Sequence, residues 1–229
     1  HRLNRRQRQM CIRDRNTLLL LAVAHLCLLF YVPRFSRVKG SHPLQLSVDD
    51  ASFAVPKLVL NQISENLASY DARLAKSNPS TREAAVALIL RPRPSAPEHT
   101  DILFIKRAEK EGDPWSGHMA FPGGHRETSD DGLRGAAMRE TAEEIGLDLG
   151  DSKYLGALDH EHANPRGRVL NMLIAPHVFQ IQGDPEFAPN HEVAEVVWAP
   201  LNVLAENTLH STETMPMSGR PTIFNGYRL

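Results

Sequence analysis

Between Phe121 and Leu147 the chain reads FPGGHRETSDDGLRGAAMRETAEEIGL, a turn signal joined to a helix of unusual charge. Phe121, Pro122, Gly123 and Gly124 are turn chemistry, because glycine takes positive φ without steric cost and lets backbone approach a ligand closely. A helix is expected next. Asp130 and Asp131 suit a helix N-terminus, Leu133 to Ile145 holds several strong helix formers, and Gly146 is a natural stop. The predicted order is therefore strand end, glycine loop, helix. At about 100° per residue, Ala137, Thr141 and Ile145 form one stripe that faces the core.

The carboxylates lie beside that stripe. Glu140 and Glu144 are one turn apart and Glu143 lies about 60° away on the same side. Like charges one turn apart repel, and the C-terminal pole of the helix dipole disfavours anions as well. Arg139, one turn before Glu143, neutralises part of the cluster. A hard divalent cation that keeps some of its waters and bridges to phosphate oxygens is a natural partner for the remainder. The plain alternative is a solvated, glutamate-rich helix face.

Gly124, Arg139, Glu140, Glu143, Glu144 and Gly146 together resemble the Nudix box, G-x5-E-x7-R-E-U-x-E-E-x-G-U with U aliphatic. Arg139 to Leu147, RETAEEIGL, matches its second half, with Thr141 at an aliphatic place. In the first half, the run from Gly124 to Arg139 is one residue longer than the pattern, and Asp130 or Asp131 stands where a glutamate is expected. The resemblance implies an α/β fold, a Nudix-type α/β/α sandwich with a mixed sheet, and Mg²⁺ or Mn²⁺ as cofactor. It further implies metal ligation by Glu140, Glu143 and Glu144, with Glu143 serving as ligand or base and Arg139 orienting a glutamate. The implied catalytic residues are Glu143, Glu144 and Arg139, and the backbone of Gly123 and Gly124 would lie against the substrate.

Upstream, Ile105 to Gly124, IKRAEKEGDPWSGHMAFPGG, looks like the coenzyme A diphosphatase branch of the Nudix hydrolases, in which an R-[SA] pair and a later glycine precede F-P-G-G. Arg107, Ala108 and Gly117 match in type, which makes Arg107 a candidate substrate contact. Gly112 occupies the place of that branch's second arginine. The implied reaction is hydrolysis of a diphosphate in a nucleoside diphosphate derivative, with coenzyme A or an acyl-CoA the leading substrate. Two alternatives stay open: a Nudix hydrolase for nucleotide sugars, dinucleotides or other nucleotides, and a non-catalytic module that senses a nucleotide. Homodimerisation is a family expectation.

Charge is divided along the chain. Residues 1–40 hold nine Lys/Arg and one Asp, whereas the rest holds 17 basic and 26 acidic residues. An acidic body argues against a nucleic-acid partner and remains compatible with a small nucleotide that arrives with its metal. The string RQRQMCIRDR resembles translated sequencing-adapter read-through, and residues 1–43 are set apart as a non-domain segment. Residues 17–32, TLLLLAVAHLCLLFYV, fall short of the ~20 apolar residues a membrane span needs. Membrane association is not expected, and the predicted location is cytoplasmic, with an anchor only if this stretch is native. Both cysteines, Cys11 and Cys27, fall in this segment, so no disulfide framework is expected in the body.

Residues 44–229 read as one domain, with the family resemblance beginning near Ala84. A helix is expected from Val55 to Ala75, a turn at Ser77 to Thr81, and strands at Ala84 to Leu90 and Asp101 to Lys106, with a proline-rich loop from Arg91 to Thr100 between them. After the box, Tyr154 to Asp159 reads as a strand and His160 to Arg168 as an exposed turn. Val169 to Ile181 reads as a central strand broken or bulged at Pro176. Asn190 to Leu204 resembles a late Nudix segment in which an acidic stretch leads into a strand ending W-x-P-L, with Pro200 and Leu201 opening a helix. Asn225 to Leu229 resembles a strand that in the branch runs on into a final helix, so a C-terminal truncation is expected. Glu192 and Glu195 are further carboxylate candidates. Trp115 and His118 read as loop residues, and His160, His162 and His177 are not spaced as a zinc site.

Overall fold

A computed structural model describes residues 9–12, 58–111, 117, 119–163, 171–206, 210–217 and 220–228. Residues 17–32, Trp115, His118 and the turn at 164–168 lie outside them. In chain order the elements are β1 (Gln9–Ile12), α1 (Leu60–Ala68), β2 (Arg82–Arg93), β3 (Ala96–Arg107), β4 (Met119–Ala120), β5 (Gly123–His125) and α2 (Gly132–Ile145). After them come β6 (Lys153–Ala157), β7 (Glu161–His162), β8 (Met172–Gln180), β9 (Val193–Pro200), α3 (Leu201–Glu206), β10 (His210–Met217) and β11 (Arg220–Arg228).

The apolar run at Ala84 to Leu90 becomes β2, the central strand of an eight-stranded mixed sheet. An unbroken apolar run suits a strand covered on both faces. Successive side chains of a strand alternate between faces, and here Leu88 and Leu90 join one core while Ala85, Ala87 and Ile89 join the other. The first core packs α1 and α3 through Ile63, Leu67, Leu201 and Leu204. The second packs α2 through Ala136, Ala137 and Ile145. Helix, sheet and helix form the expected α/β/α sandwich. Alanines meet where α2 crosses the sheet, at Ala85, Ala87, Ala136, Ala137 and Ala175, all fully buried. Such small side chains let the helix lie close.

Strand β8 runs parallel to β2, from Arg82 opposite Met172 to Leu90 opposite Gln180. Strand β3 is antiparallel to β2 at Leu90 and Ile102, and β9 pairs with β3, with Leu103 opposite Trp198. On the N-terminal side of Leu90, β2 and β3 part company. The wedge between them is filled by β4 on β3, with Ile105 opposite Ala120, and by β5 on β2, with Ala85 opposite Gly124. The Ala87 N–H donates to the Pro122 carbonyl at 2.8 Å. Phe121 stacks on Phe104, ring centroids 4.9 Å apart, in the core beneath. The expected glycine loop is thus stitched into the sheet instead of lying free.

Several boundaries differ from the sequence reading. The first helix is Leu60–Ala68 and ends well before Ala75, because Tyr70 and Arg73 are drawn to Asp159. The stretch from Arg91 to Thr100 is a hairpin and not a loop, turning at Pro94 and Ser95 with a register irregularity at Pro92 and Arg93. Its arginines are paired: Arg93 pairs with Asp101 at 2.9 Å, and buried Arg91 lies 3.9 Å from the Trp198 ring centre and pairs with Asp184. Strand β6 is Lys153–Ala157, short of Asp159, and part of the expected turn after it, Glu161–His162, pairs with β8.

Pro176 does not break its strand. Its carbonyl accepts from Leu158 N–H at 3.0 Å, on the side where β6 has ended and β7 has not begun. N–H and carbonyl of one strand residue share a side, so its missing donor falls in that gap.

A separate three-stranded antiparallel sheet orders β1, β11 and β10, with Met10 opposite Tyr227 and Thr214 opposite Ile223. Asn225 to Arg228 belong to β11, as the sequence expects of a strand there. No helix among the described residues is long and apolar enough to cross a membrane.

Candidate active site

Helix α2 carries the site, and its ends are set by local chemistry. Asp131 is the N-cap residue but makes no side-chain capping bond. Gly146 closes the helix in the left-handed conformation, φ 71°. A Cβ at Gly146 would lie 2.9 Å from that of Ala188, so glycine also admits the chain that passes there.

The predicted stripe of Ala137, Thr141 and Ile145 is fully buried, and Glu144 is buried with it at 4% exposure. Sequence periodicity placed Glu144 beside the core, not within it. Its Oε2 accepts from the Gly123 N–H at 2.9 Å. Burial nonetheless pushes its pKa up to about 7, with the Glu140 and Glu192 charges adding and the Gly123 bond and Arg107 charge opposing. Glu140 is partly buried, and desolvation raises its pKa against the pull of Arg139.

Arg139 binds four partners. Nε donates to Asp130 Oδ1 at 2.9 Å and Nη2 to Asp130 Oδ2 at 3.2 Å, a two-pronged pair of the kind a planar guanidinium favours. Nη1 lies 3.0 Å from Glu140 Oε1 and 3.1 Å from Glu143 Oε2. Nη2 also donates to the His125 carbonyl at 2.9 Å. The arginine is held in its charged form and Asp130 is held below the usual carboxylate range, each chiefly by their mutual bond. Of the two aspartates that the sequence leaves open, Asp130 is therefore the one that anchors Arg139.

The two glycines serve different purposes. At Gly123, φ is 152° and a Cβ would lie 2.2 Å from the Ala85 carbonyl oxygen, so the sheet itself requires glycine. At Gly124 a Cβ would lie 2.4 Å from Glu140 Cδ and 2.5 Å from its Oε1. Glycine there makes room for a carboxylate. Consecutive glycines thus bring Glu144 and Glu140 to one place, whereas Glu143 stays with Arg139, its side chain 56% exposed.

Arg107 ends β3 beside this pair, opposite Val193 across the strands, and its charge reaches Glu144. Glu192 reaches Glu144 as well; its carbonyl accepts from Ala108 N–H at 2.7 Å. Glu195 lies within β9 opposite Lys106. His177 is a buried strand residue bonded to the Tyr154 hydroxyl at 2.9 Å, apart from the glutamates. Sequence reasoning passed over Asn190, whose side-chain Nδ2 donates to the Glu143 carbonyl at 3.0 Å.

The donor set is all carboxylate oxygen, the chemistry of a hard divalent cation. Among the described residues no three His, Cys, Asp or Glu side chains already surround one point. A buried carboxylate short of counter-charge, next to a second one across a glycine, fits such an ion chemically.

Comparison with known proteins places the chain beside the following. The family model of the NUDIX domain matches residues 81–216. An uncharacterized protein of Schizosaccharomyces pombe is 36% identical over 104 residues, 44% of this chain and 32% of that protein. The peroxisomal coenzyme A diphosphatase ndx-8 of Caenorhabditis elegans is 34% identical over 99 residues, 42% of this chain and 40% of the relative. The uncharacterized Nudix hydrolase NudL of Pectobacterium atrosepticum is 31% identical over 104 residues, 45% of this chain and 52% of the relative. The chain thus spans between a third and about half the length of these curated relatives.

Proposed function

The chain belongs to the Nudix family, and from that premise we propose that it hydrolyses a diphosphate linkage in a nucleoside diphosphate derivative, with coenzyme A or an acyl-CoA as leading substrate. The observation that carries this reading is the pairing of Glu144 and Glu140 against Gly123 and Gly124, with Arg139 locked by Asp130 behind them. The ndx-8 relative supports the coenzyme A class, as does the Arg107 and Ala108 pair upstream of Phe121.

A diphosphate repels an incoming water oxygen by its charge, so the site must neutralise, position and accept a proton. Glu140 and Glu144, with Glu143 at the rim, would hold Mg²⁺ or Mn²⁺, which when bound supplies charge neutralisation at the diphosphate. Arg139 fixes Glu140 and Glu143 relative to one another. The Gly123 N–H fixes the Glu144 carboxyl. Arg107 offers a positive charge to a substrate phosphate at the far side of Glu144. Glu143, exposed and within reach of solvent, accepts the proton of the attacking water. From coenzyme A the products would be an adenosine bisphosphate and phosphopantetheine.

Incubation of the full chain with Mg²⁺ or Mn²⁺ and a panel of coenzyme A, nucleotide sugars, dinucleotides and nucleoside triphosphates, with products identified by mass, tests this. Metal-dependent release of phosphopantetheine is expected. Cleavage of another panel member alone would reject the coenzyme A assignment. A folded protein that binds nucleotide and cleaves nothing would favour a sensing module.

A further inference from the structure

A helix leaves the carbonyls of its last turn without intrahelical partners. In α2 all four are met: Ala142 by Gly146 N–H at 3.0 Å, Glu143 by Asn190 Nδ2 at 3.0 Å, Glu144 by Asn190 N–H at 2.9 Å, and Ile145 by Ala188 N–H at 2.9 Å. Only Asn190 contributes a side chain. It serves two consecutive peptide carbonyls, those of Glu143 and Glu144.

Helix α1 ends differently. There Ser69, by its N–H and its hydroxyl, closes on the Asn66 carbonyl and Tyr70 N–H on that of Leu67, all neighbours in sequence. The end of α2 is instead closed by a residue 47 positions after Glu143. The remaining atoms of Asn190 reach further round the site. Its Oδ1 accepts from Glu192 N–H at 2.8 Å, and its carbonyl accepts from Val193 N–H at 3.2 Å. Val193 opens β9 opposite Arg107, and the Glu192 carbonyl holds Ala108. The Asn190 side chain therefore ties the turn bearing Glu143 and Glu144 to Glu192, whose own carbonyl holds the end of β3 bearing Arg107.

We infer that Asn190 is a positioning residue for the diphosphatase site, holding Glu143 and Glu144 in register with Glu192 and Arg107. This rests on the function proposed above. Donors at this end of the helix are also what three glutamates and the negative dipole pole require. Without the Asn190 amide, the Glu143 carbonyl loses its donor and the last turn is free to fray, shifting carboxylates that stand on it.

The test uses the full chain with Asn190→Ala, Asn190→Asp and, as a control for stability alone, Tyr70→Phe, which loses a hydrogen bond to Asp159. Mn²⁺ binding without substrate is read by electron paramagnetic resonance, and kcat and KM are read on the best panel substrate. Asn190→Ala is expected to weaken Mn²⁺ binding about tenfold and to lower kcat about tenfold, with KM changed less than about threefold, the scale seen when groups behind a metal ligand are removed. Asn190→Asp keeps the acceptor for Glu192 N–H but loses the donor to Glu143, so its loss should be at least as large. Tyr70→Phe should lower the melting temperature and leave Mn²⁺ affinity and kcat unchanged. If both Asn190 variants lose only melting temperature while wild type binds Mn²⁺ and turns over, the positioning role is wrong and the enzyme reading stands. If wild type neither binds Mn²⁺ nor cleaves any substrate, the enzyme reading falls and the positioning role falls with it.

Discussion

Glu144 and Asp159 are each only 4% exposed, with Glu144 the more deeply set, yet the fold treats them in opposite ways. Asp159 receives the Tyr70 hydroxyl at 2.5 Å, the Arg73 N–H at 2.9 Å and the Arg73 guanidinium. Although burial opposes it, those bonds hold its pKa down to about 2. Glu144 has one backbone donor and the charge of Arg107 set against two neighbouring carboxylates, and burial pushes it up to about 7. Burial of a carboxylate is therefore not in itself a sign of function. What distinguishes the two is whether the protein has finished the job of balancing the charge. Asp159 is complete, a clasp between the chain after α1 and the end of β6. Glu144 is not, and under the proposed function a cation would complete it.

The sharpest break between them should come from neutral isosteres. Glu144→Gln is expected to lower kcat about a thousandfold, while the melting temperature of the metal-free protein holds or rises, because a buried amide needs less compensation than a buried charge. Steady-state kinetics and a thermal melt on the same preparation check this.

Next in size is the contrast between neighbouring glycines. Gly123→Ala forces a Cβ against the Ala85 backbone and should cost about 3 kcal/mol of stability. Gly124→Ala meets only the movable end of Glu140, so chemical denaturation should show under about 1 kcal/mol lost, with the damage appearing as weaker Mn²⁺ activation. Equal stability losses at the two positions would contradict the roles given them here.

Asp159→Asn should remove about 2 kcal/mol of stability, the scale of hydrogen bonds to a charged group, and leave kcat unchanged below the melt. The pH dependence separates this clasp from the buried histidine. Asp159 sits near pKa 2 when folded against about 3.9 unfolded, so its contribution is present above ~pH 4 and is lost as pH falls toward 2. His177 is pushed down to about 4, first by burial and then by His160 and Arg134. Its unfolded value is about 6.5, so the chain should lose stability as pH falls from ~6.5 to ~4, where only the unfolded form takes up the proton. Melts across this range should lose the upper slope in His177→Phe and the lower one in Asp159→Asn.

Much of the scaffold around Glu144 is legible in sequence because local chemistry decides it. Helix formers from Leu133, the stop at Gly146 and the W-x-P-L close of β9 each act within a few residues, and α2, its cap and α3 appear where those signals lie. The contacts that finish the site are not local. Asp130 and Asp131 are equivalent on paper until Arg139 folds back to choose one. Asn190 carries no pattern that announces its reach to Glu143. The depth of Glu144 depends on the alanines beneath α2, which let the helix sink until a flanking carboxylate passes out of solvent. The hairpin from Arg91 to Thr100 was hidden by its prolines and charges, and the Asp184 and Trp198 that meet Arg91 come from elsewhere in the fold.

The most direct test of the account is the rate of diphosphate cleavage as a function of Mn²⁺ concentration for wild type, Glu144→Gln and Asp159→Asn side by side, each well below its melting temperature. The account predicts saturable Mn²⁺ activation in wild type and Asp159→Asn with similar maximal rates, and almost none in Glu144→Gln. Full Mn²⁺-dependent activity in Glu144→Gln would contradict it.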